Sequence, residues 1–119
     1  MHPIYFYRNS KGEQPVLDYM RELAKHKDKD SHIKLQKIRD YVKALSRSGK
    51  GAGQPYIKRV EGDIWELRPL QDRIFFVAWY DDSFVLLHQF VKKTQKTPER
   101  EKAQARREYK DLQERRDFS

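Results

Sequence analysis

Apolar residues fall on helical stripes in the first half of the chain and alternate with polar ones in the second. Val16, Tyr19, Met20 and Leu23 recur at helical spacing behind the turn-forming stretch NSKGEQP, so a first helix is expected from Pro15 to about His26. KDKDS breaks it, and Leu35, Ile38, Val42 and Leu45 form a second stripe, predicting a second helix over roughly 31–47. A short polar link between two amphipathic helices makes a helical hairpin. Ahead of them, PIYFYR (3–8) is aromatic and β-branched and reads as a strand. After the glycine-bearing SRSGKGAGQP, expected as a flexible connector, strands are predicted at 56–61, 64–69, 73–80 and 84–91. Gly62-Asp63, LQD and Asp81-Asp82-Ser83 supply the turns between them. Thr97 is expected as the cap and Pro98 as the first residue of a charged helix over about 98–115. Ala105, Tyr109 and Leu112 give that helix a narrow apolar edge, and 114–119 are expected to fray. The order β, α, α, β, β, β, β, α predicts a single α+β domain over 1–119, a helical hairpin packed on a mainly antiparallel sheet with a C-terminal helix.

Charge sharpens this picture. The 119 residues carry a formal net charge of +8, and the excess is uneven: +6 over residues 1–54, −2 over 55–91 and +4 over 92–119. A basic domain of this kind points to a polyanionic partner, most often nucleic acid. There is no cysteine, which excludes disulfides and thiolate metal sites. His2, His26, His32 and His88 are scattered without metal-ligand spacing, so neither a metal nor a cofactor is expected. No apolar run is long enough to span a membrane, and the N-terminal residues lack the pattern of a secretion signal, so a cytoplasmic location is expected.

Candidate chemistry gathers in the β-rich half. In DIWELRP, alternation sends Trp65 and Leu67 to one face and Ile64, Glu66 and Arg68 to the other. A carboxylate and a guanidinium two residues apart fit a solvent-facing ion pair or a working pair. If 64–68 and 73–79 form a hairpin, Arg73 lands beside Arg68, and two converging arginines are accommodated more easily when an anion joins them. A turn at 81–83 would place residue 73 near residue 91, bringing FVKKTQKTP to the same end of the sheet. Its lysines fit a basic connector or a phosphate contact. The glycines at 49, 51 and 53 follow a helix and precede a strand, the wrong order for a phosphate-binding loop. His88 shares a face with Phe84, Leu86 and Phe90 under simple alternation, where a core histidine and a proton-transfer group are both open. Phe75, Phe76, Trp79 and Tyr80 are dense enough to stack bases, although half of them must face the core.

GDIWELRP, RIFFVAWYDDSFVLLHQFVKKTQKTP and EREKAQARREY resemble the phage-derived branch of the RelE superfamily, which includes HigB-type toxins. LLHQFVKKTQKTP is the most specific element, and the resemblance covers nearly the whole chain. It implies a RelE-like fold with basic residues on the concave face of a curved sheet. It also implies the toxin of a type II toxin–antitoxin pair, a ribosome-dependent mRNA endonuclease in which the 2′-hydroxyl attacks the adjacent phosphate without a metal. Arg68 and Arg73 match family positions that hold the phosphate, and Lys92 and Lys93 match the basic pair ending the last strand. Glu66 stands where RelE itself has a lysine, and it either accepts the 2′-hydroxyl proton or orients Arg68. No residue matches the C-terminal catalytic tyrosine of RelE, leaving His88 or Lys93 as the acid. Arg68, Arg73, Lys93, Glu66 and His88 are therefore the expected catalytic set, and Lys58, Lys92 and Lys96 the expected RNA contacts. Expected partners are a helix-turn-helix, HigA-like antitoxin, the ribosome and its mRNA, with operator DNA reached only through the antitoxin and no membrane involved. The same fold also carries ParE-like gyrase binding, and a basic RNA-binding module is a further alternative.

Overall fold

The computed structural model describes residues 1–115. Strand β1 (Ile4–Phe6) leads into helices α1 (Pro15–Lys25) and α2 (Lys29–Ser48) and a short 3-10 turn, Gly49–Ala52. Strands β2 (Ile57–Glu61), β3 (Ile64–Leu67), β4 (Asp72–Trp79) and β5 (Ser83–Val91) follow, and helix α3 (Glu99–Arg115) comes last. The strands form one sheet in the order β1-β5-β4-β3-β2. All pairings are antiparallel except β1 with β5, which is parallel because the helical hairpin returns the chain across the sheet. This is the α+β layout expected from the sequence, compatible with a RelE-like fold.

Local chemistry sets the boundaries. Pro15 opens α1 where its missing N–H costs nothing. The Asp28 side chain accepts from the Ser31 N–H at 2.9 Å, starting α2 two residues earlier than its apolar stripe indicates. α3 opens at Glu99 with the Pro98 carbonyl accepting from the Lys102 N–H at 3.3 Å, so Pro98 rather than Thr97 holds the capping position. Within the glycine-bearing connector, Gly49–Ala52 winds into the 3-10 turn. Gly49 is required there: its φ is 56°, and a Cβ would meet His2 Nε2 at 2.8 Å. Of the residues expected to fray, Glu114 and Arg115 still belong to α3 and the rest lie outside the described residues.

The sheet is covered on both faces. On one, α1 and α2 bury Val16, Leu23, Leu35, Ile38 and Leu45 against Leu67, Ile74, Phe76, Phe84 and Leu86. On the other, Ala105 and Leu112 of α3 pack with Phe75, Val77, Val85, Leu87 and Phe90. Alternation in β3 holds, with Trp65 and Leu67 toward the hairpin and Ile64 toward α3. In β5 it fails. Phe75 pairs with His88 but Phe76 with Leu86, so Leu87 is an extra, bulged residue. The bulge moves His88 and Phe90 off the Phe84–Leu86 face and turns them toward α3. The hairpin itself closes on Trp79 and Ser83, with Asp81 and Asp82 in the left-handed region and the Ser83 N–H donating to the Tyr80 carbonyl at 3.2 Å. With the bulge, this sets Arg73 opposite Phe90 rather than residue 91.

Candidate active site

α3 covers its face only in part, and one end of the sheet is left open beside it. Glu66 pairs across β2 and β3 with Lys58, and Leu67 pairs with Ile74, so the next residues out, Arg68 and Arg73, flank one another. Alternation turns Lys58, Glu66, Arg68 and Arg73 to the α3 face. β5 ends at Val91, and Lys92 is tied back by its N–H to the Gln71 carbonyl at 2.9 Å. The sequence expectation that the two arginines and the lysine stretch share one end of the sheet therefore holds, one residue out of the expected register.

These residues enclose a cavity of about 580 Å³, lined by Lys58, Arg68, Gln71, Arg73, Lys92, Lys93, Thr94 and Gln95. A second hollow of about 280 Å³ adjoins it, sharing Lys58, Lys92 and Gln95 and adding Arg59, Glu66, Lys96 and Lys102. Among the described residues, Glu66 is the single carboxylate along this path, against eight cations. It is 2 % exposed, with Oε2 3.4 Å from Arg68 Nε and 3.9 Å from Arg73 Nε. These separations suit Coulomb attraction but are not aligned for hydrogen bonding. Among the described residues, the buried side-chain polar atoms without a hydrogen-bond partner are Glu66 Oε1, Arg68 Nε and Arg73 Nε, and all three meet here. Buried polar groups are ordinarily satisfied, so these three atoms make this the candidate place for another molecule's polar groups.

Arg73 is the most firmly held. Its Nη1 donates to the carbonyls of Leu70 at 2.9 Å and Asp72 at 2.8 Å. Leu70 sits at φ 57°, a costly conformation for a leucine, and it is also half exposed. Strain at this turn thus aims a carbonyl at the guanidinium. Burial pulls Arg73 below its ordinary pKa; Glu66 opposes that, and Arg68 adds to it. The same causes act on Lys92. Partial burial holds its ammonium below the usual lysine range, Glu66 opposes, and Arg73, Arg68 and Lys58 contribute further. Lys93 lines the cavity from an exposed position, and Lys96 lies in the adjoining hollow.

His88 is placed elsewhere. It is buried beneath α3, with Nδ1 2.5 Å from Glu108 Oε1 and Nε2 3.2 Å from Glu101 Oε1, and its ring meets the Phe75 ring edge-on. Both nitrogens are occupied, and the residue lines neither hollow. The bulge at Leu87 is the physical reason, since it turns this side chain under α3. The aromatic expectation resolves similarly: Phe75 and Phe76 are core, whereas the Trp79 and Tyr80 rings meet edge-on at the far hairpin.

Sequence reasoning missed several contributors. Gln71, Arg59 and Lys102 line the path, and only their polarity hinted at it. Asp72, 1 % exposed, accepts from Tyr19 Oη and Gln89 Nε2 at 2.9 Å each and faces Lys34 Nζ at 3.7 Å. It locks α1 and α2 to the strand that carries Arg73. A charged residue opening a strand gave no sign of this. Among the described residues, no three His, Cys, Asp or Glu side chains converge as a metal site would require, and no helix is long and apolar enough to cross a membrane.

A family model described as Phage derived protein Gp49-like (DUF891) matches residues 17–110, well over half of the chain, and spans all eight basic residues that line the two hollows. No curated protein matches the chain.

Proposed function

From its membership of the Gp49-like family of phage-derived proteins, a RelE-related and toxin-like family to which this chain belongs, we propose that it is an mRNA endonuclease toxin acting on the ribosome. The observation that carries the reading is the meeting of Arg68, Arg73 and Glu66 with their buried polar atoms unpartnered, where a basic cavity adjoins a second basic hollow. A phosphodiester supplies what those atoms lack: its non-bridging oxygens accept from both guanidinium groups. Eight cations along one path suit an extended RNA backbone better than a single small anion.

In the proposed reaction the 2′-hydroxyl attacks the adjacent phosphorus. The 2′-oxygen–phosphorus bond forms, the bond to the 5′-oxygen breaks, and a 2′,3′-cyclic phosphate or its 3′-phosphate product remains. Arg68 and Arg73 hold the phosphate and offset charge as it builds on the oxygens. Glu66 keeps the two guanidinium groups together and is the acceptor for the 2′-hydroxyl proton once RNA has entered. Lys92, whose proton is already loosened, gives a proton to the 5′-oxygen, with Lys93 beside it as a phosphate contact. Lys58 and Lys96 hold flanking phosphates. His88 supports α3 and takes no part in proton transfer.

A toxin of this kind requires a neutralising partner, here an antitoxin of the helix-turn-helix type. The test is cleavage of a translated mRNA with purified ribosomes. Arg73→Ala, folded as judged by circular dichroism, is expected to lose cleavage and growth arrest together. Full toxicity in that variant would overturn the site. Intact mRNA accompanied by gyrase-trapped DNA breaks would replace the endonuclease with the gyrase-binding alternative.

A further inference from the structure

A second surface lies on the opposite layer from the RNA path. Ile4 of β1, Met20 of α1 and Val42 of α2 floor a groove of about 440 Å³, where the helical hairpin meets the edge strand of the sheet. All three belong to the fringe of the hairpin core and remain partly exposed. Along one side run Arg39, Lys43 and Arg47, also lining the groove. Their spacing of four residues aligns them on one face of α2 over about 12 Å. All three are exposed, and among the described residues none makes a side-chain hydrogen bond or ion pair. Among the described residues, no carboxylate lines the groove.

We infer that this groove seats an acidic amphipathic helix from a partner protein. Its apolar stripe would fill the Ile4–Met20–Val42 floor, and Asp or Glu residues four apart would face Arg39, Lys43 and Arg47. Charge complementarity selects the sign of the occupant, because three unpaired cations in a row repel one another until an anion arrives. The apolar floor selects protein over RNA, since a nucleic-acid backbone gains nothing from burying Met20 and Val42. The geometry is the groove-bound helix mode of recognition. This inference is independent of the proposed endonuclease reading: the groove and the Arg68–Arg73 cavity share no residue and lie on different faces of the sheet.

The experiment is fluorescence anisotropy with the full chain and three labelled probes. One is a designed helical peptide, roughly 16 residues long, with leucines on one face and glutamates four apart beside them. The second is a scrambled peptide of the same composition, and the third a short single-stranded RNA. The designed peptide is expected to bind, the scrambled one to bind at least about tenfold more weakly, and the triple variant Arg39→Glu, Lys43→Glu, Arg47→Glu to lose about tenfold for the designed peptide. Val42→Asp is expected to weaken the same peptide, with folding checked by circular dichroism. Equal binding of designed and scrambled peptides overturns the inference. So does peptide binding that is abolished by Arg73→Ala but not by the triple variant. If the triple variant instead loses RNA binding or ribosome-dependent cleavage while no peptide binds, the stripe is a nucleic-acid contact and the inference fails.

Discussion

Glu66→Gln tests the electrostatics of the site most sharply, because it removes one charge and keeps the shape. The carboxylate lies 3.4 Å from Arg68 Nε and 3.9 Å from Arg73 Nε. At an effective dielectric of about 20 these separations correspond to gross attractions of ~5 and ~4 kcal/mol. Desolvation offsets most of that, yet removing one member of a buried charge cluster still costs about 3–5 kcal/mol because the others stay buried. Arg68 keeps 26 % side-chain exposure, so water relieves part of the loss and the lower end applies. The expected destabilisation is about 3 kcal/mol, or roughly 12 °C in melting temperature for a domain of this length. Urea unfolding measures it as a shift in midpoint at unchanged slope. Sulfate supplies the second half of the test. An anion should replace the lost charge, so sulfate is expected to stabilise Glu66→Gln more than the wild-type protein, compared with chloride at equal ionic strength. Equal stability of the two proteins, with equal gains in sulfate, would refute the claim that Glu66 holds two mutually repelling arginines.

Further outcomes follow from the same structure. Lys92→Met should be more stable than wild type at neutral pH. The folded-state pKa of Lys92 is lowered by burial and its cationic neighbours, so the unfolded chain binds that proton more tightly and wild-type stability rises with pH between the lowered value and the ordinary ~10.4. The advantage of the variant should therefore vanish above that range, as urea titrations at stepped pH would show; a difference independent of pH would contradict it. Asp72→Ala should cost about 3 kcal/mol in urea unfolding, since it strands Tyr19, Gln89 and Lys34 around a buried position. His88→Gln should lower stability but leave the pH profile of cleavage unchanged in folded protein; a shifted profile would return His88 to the proton-transfer chemistry.

Much of the molecule was legible because local patterns and tertiary structure agree. The Leu35–Ile38–Leu45 stripe became the buried face of α2, and alternation in DIWELRP placed Glu66 and Arg68 on the face that carries the site. The convergence of Arg68 and Arg73 needed only a hairpin, and the hairpin is there. What the sequence hid are the non-local and irregular features. The parallel pairing of β1 with β5 joins residues some eighty positions apart, which no periodicity encodes. The bulge at Leu87 carries no composition signal, yet it reverses the face of His88 and sets the register of Arg73. Lys92 and Lys93 are indistinguishable as neighbours in a sequence. Only the folded chain shows Lys92 as the more buried, lining the cavity with Arg73 and the adjoining hollow with Glu66. Leu70 and Asp72 act through a left-handed turn and a buried polar network, neither of which leaves a pattern in hydropathy.

The central claim is that the Arg68–Arg73 cavity cleaves RNA through the 2′-hydroxyl. Mapping the ends of an mRNA translated by purified ribosomes, with wild-type protein and with Arg73→Ala, tests it most directly. The expected result is cuts phased with the reading frame, upstream fragments ending in 2′,3′-cyclic or 3′-phosphate, and no cuts with the variant. Fragments ending in 3′-hydroxyl, or the same cuts with Arg73→Ala, would contradict it.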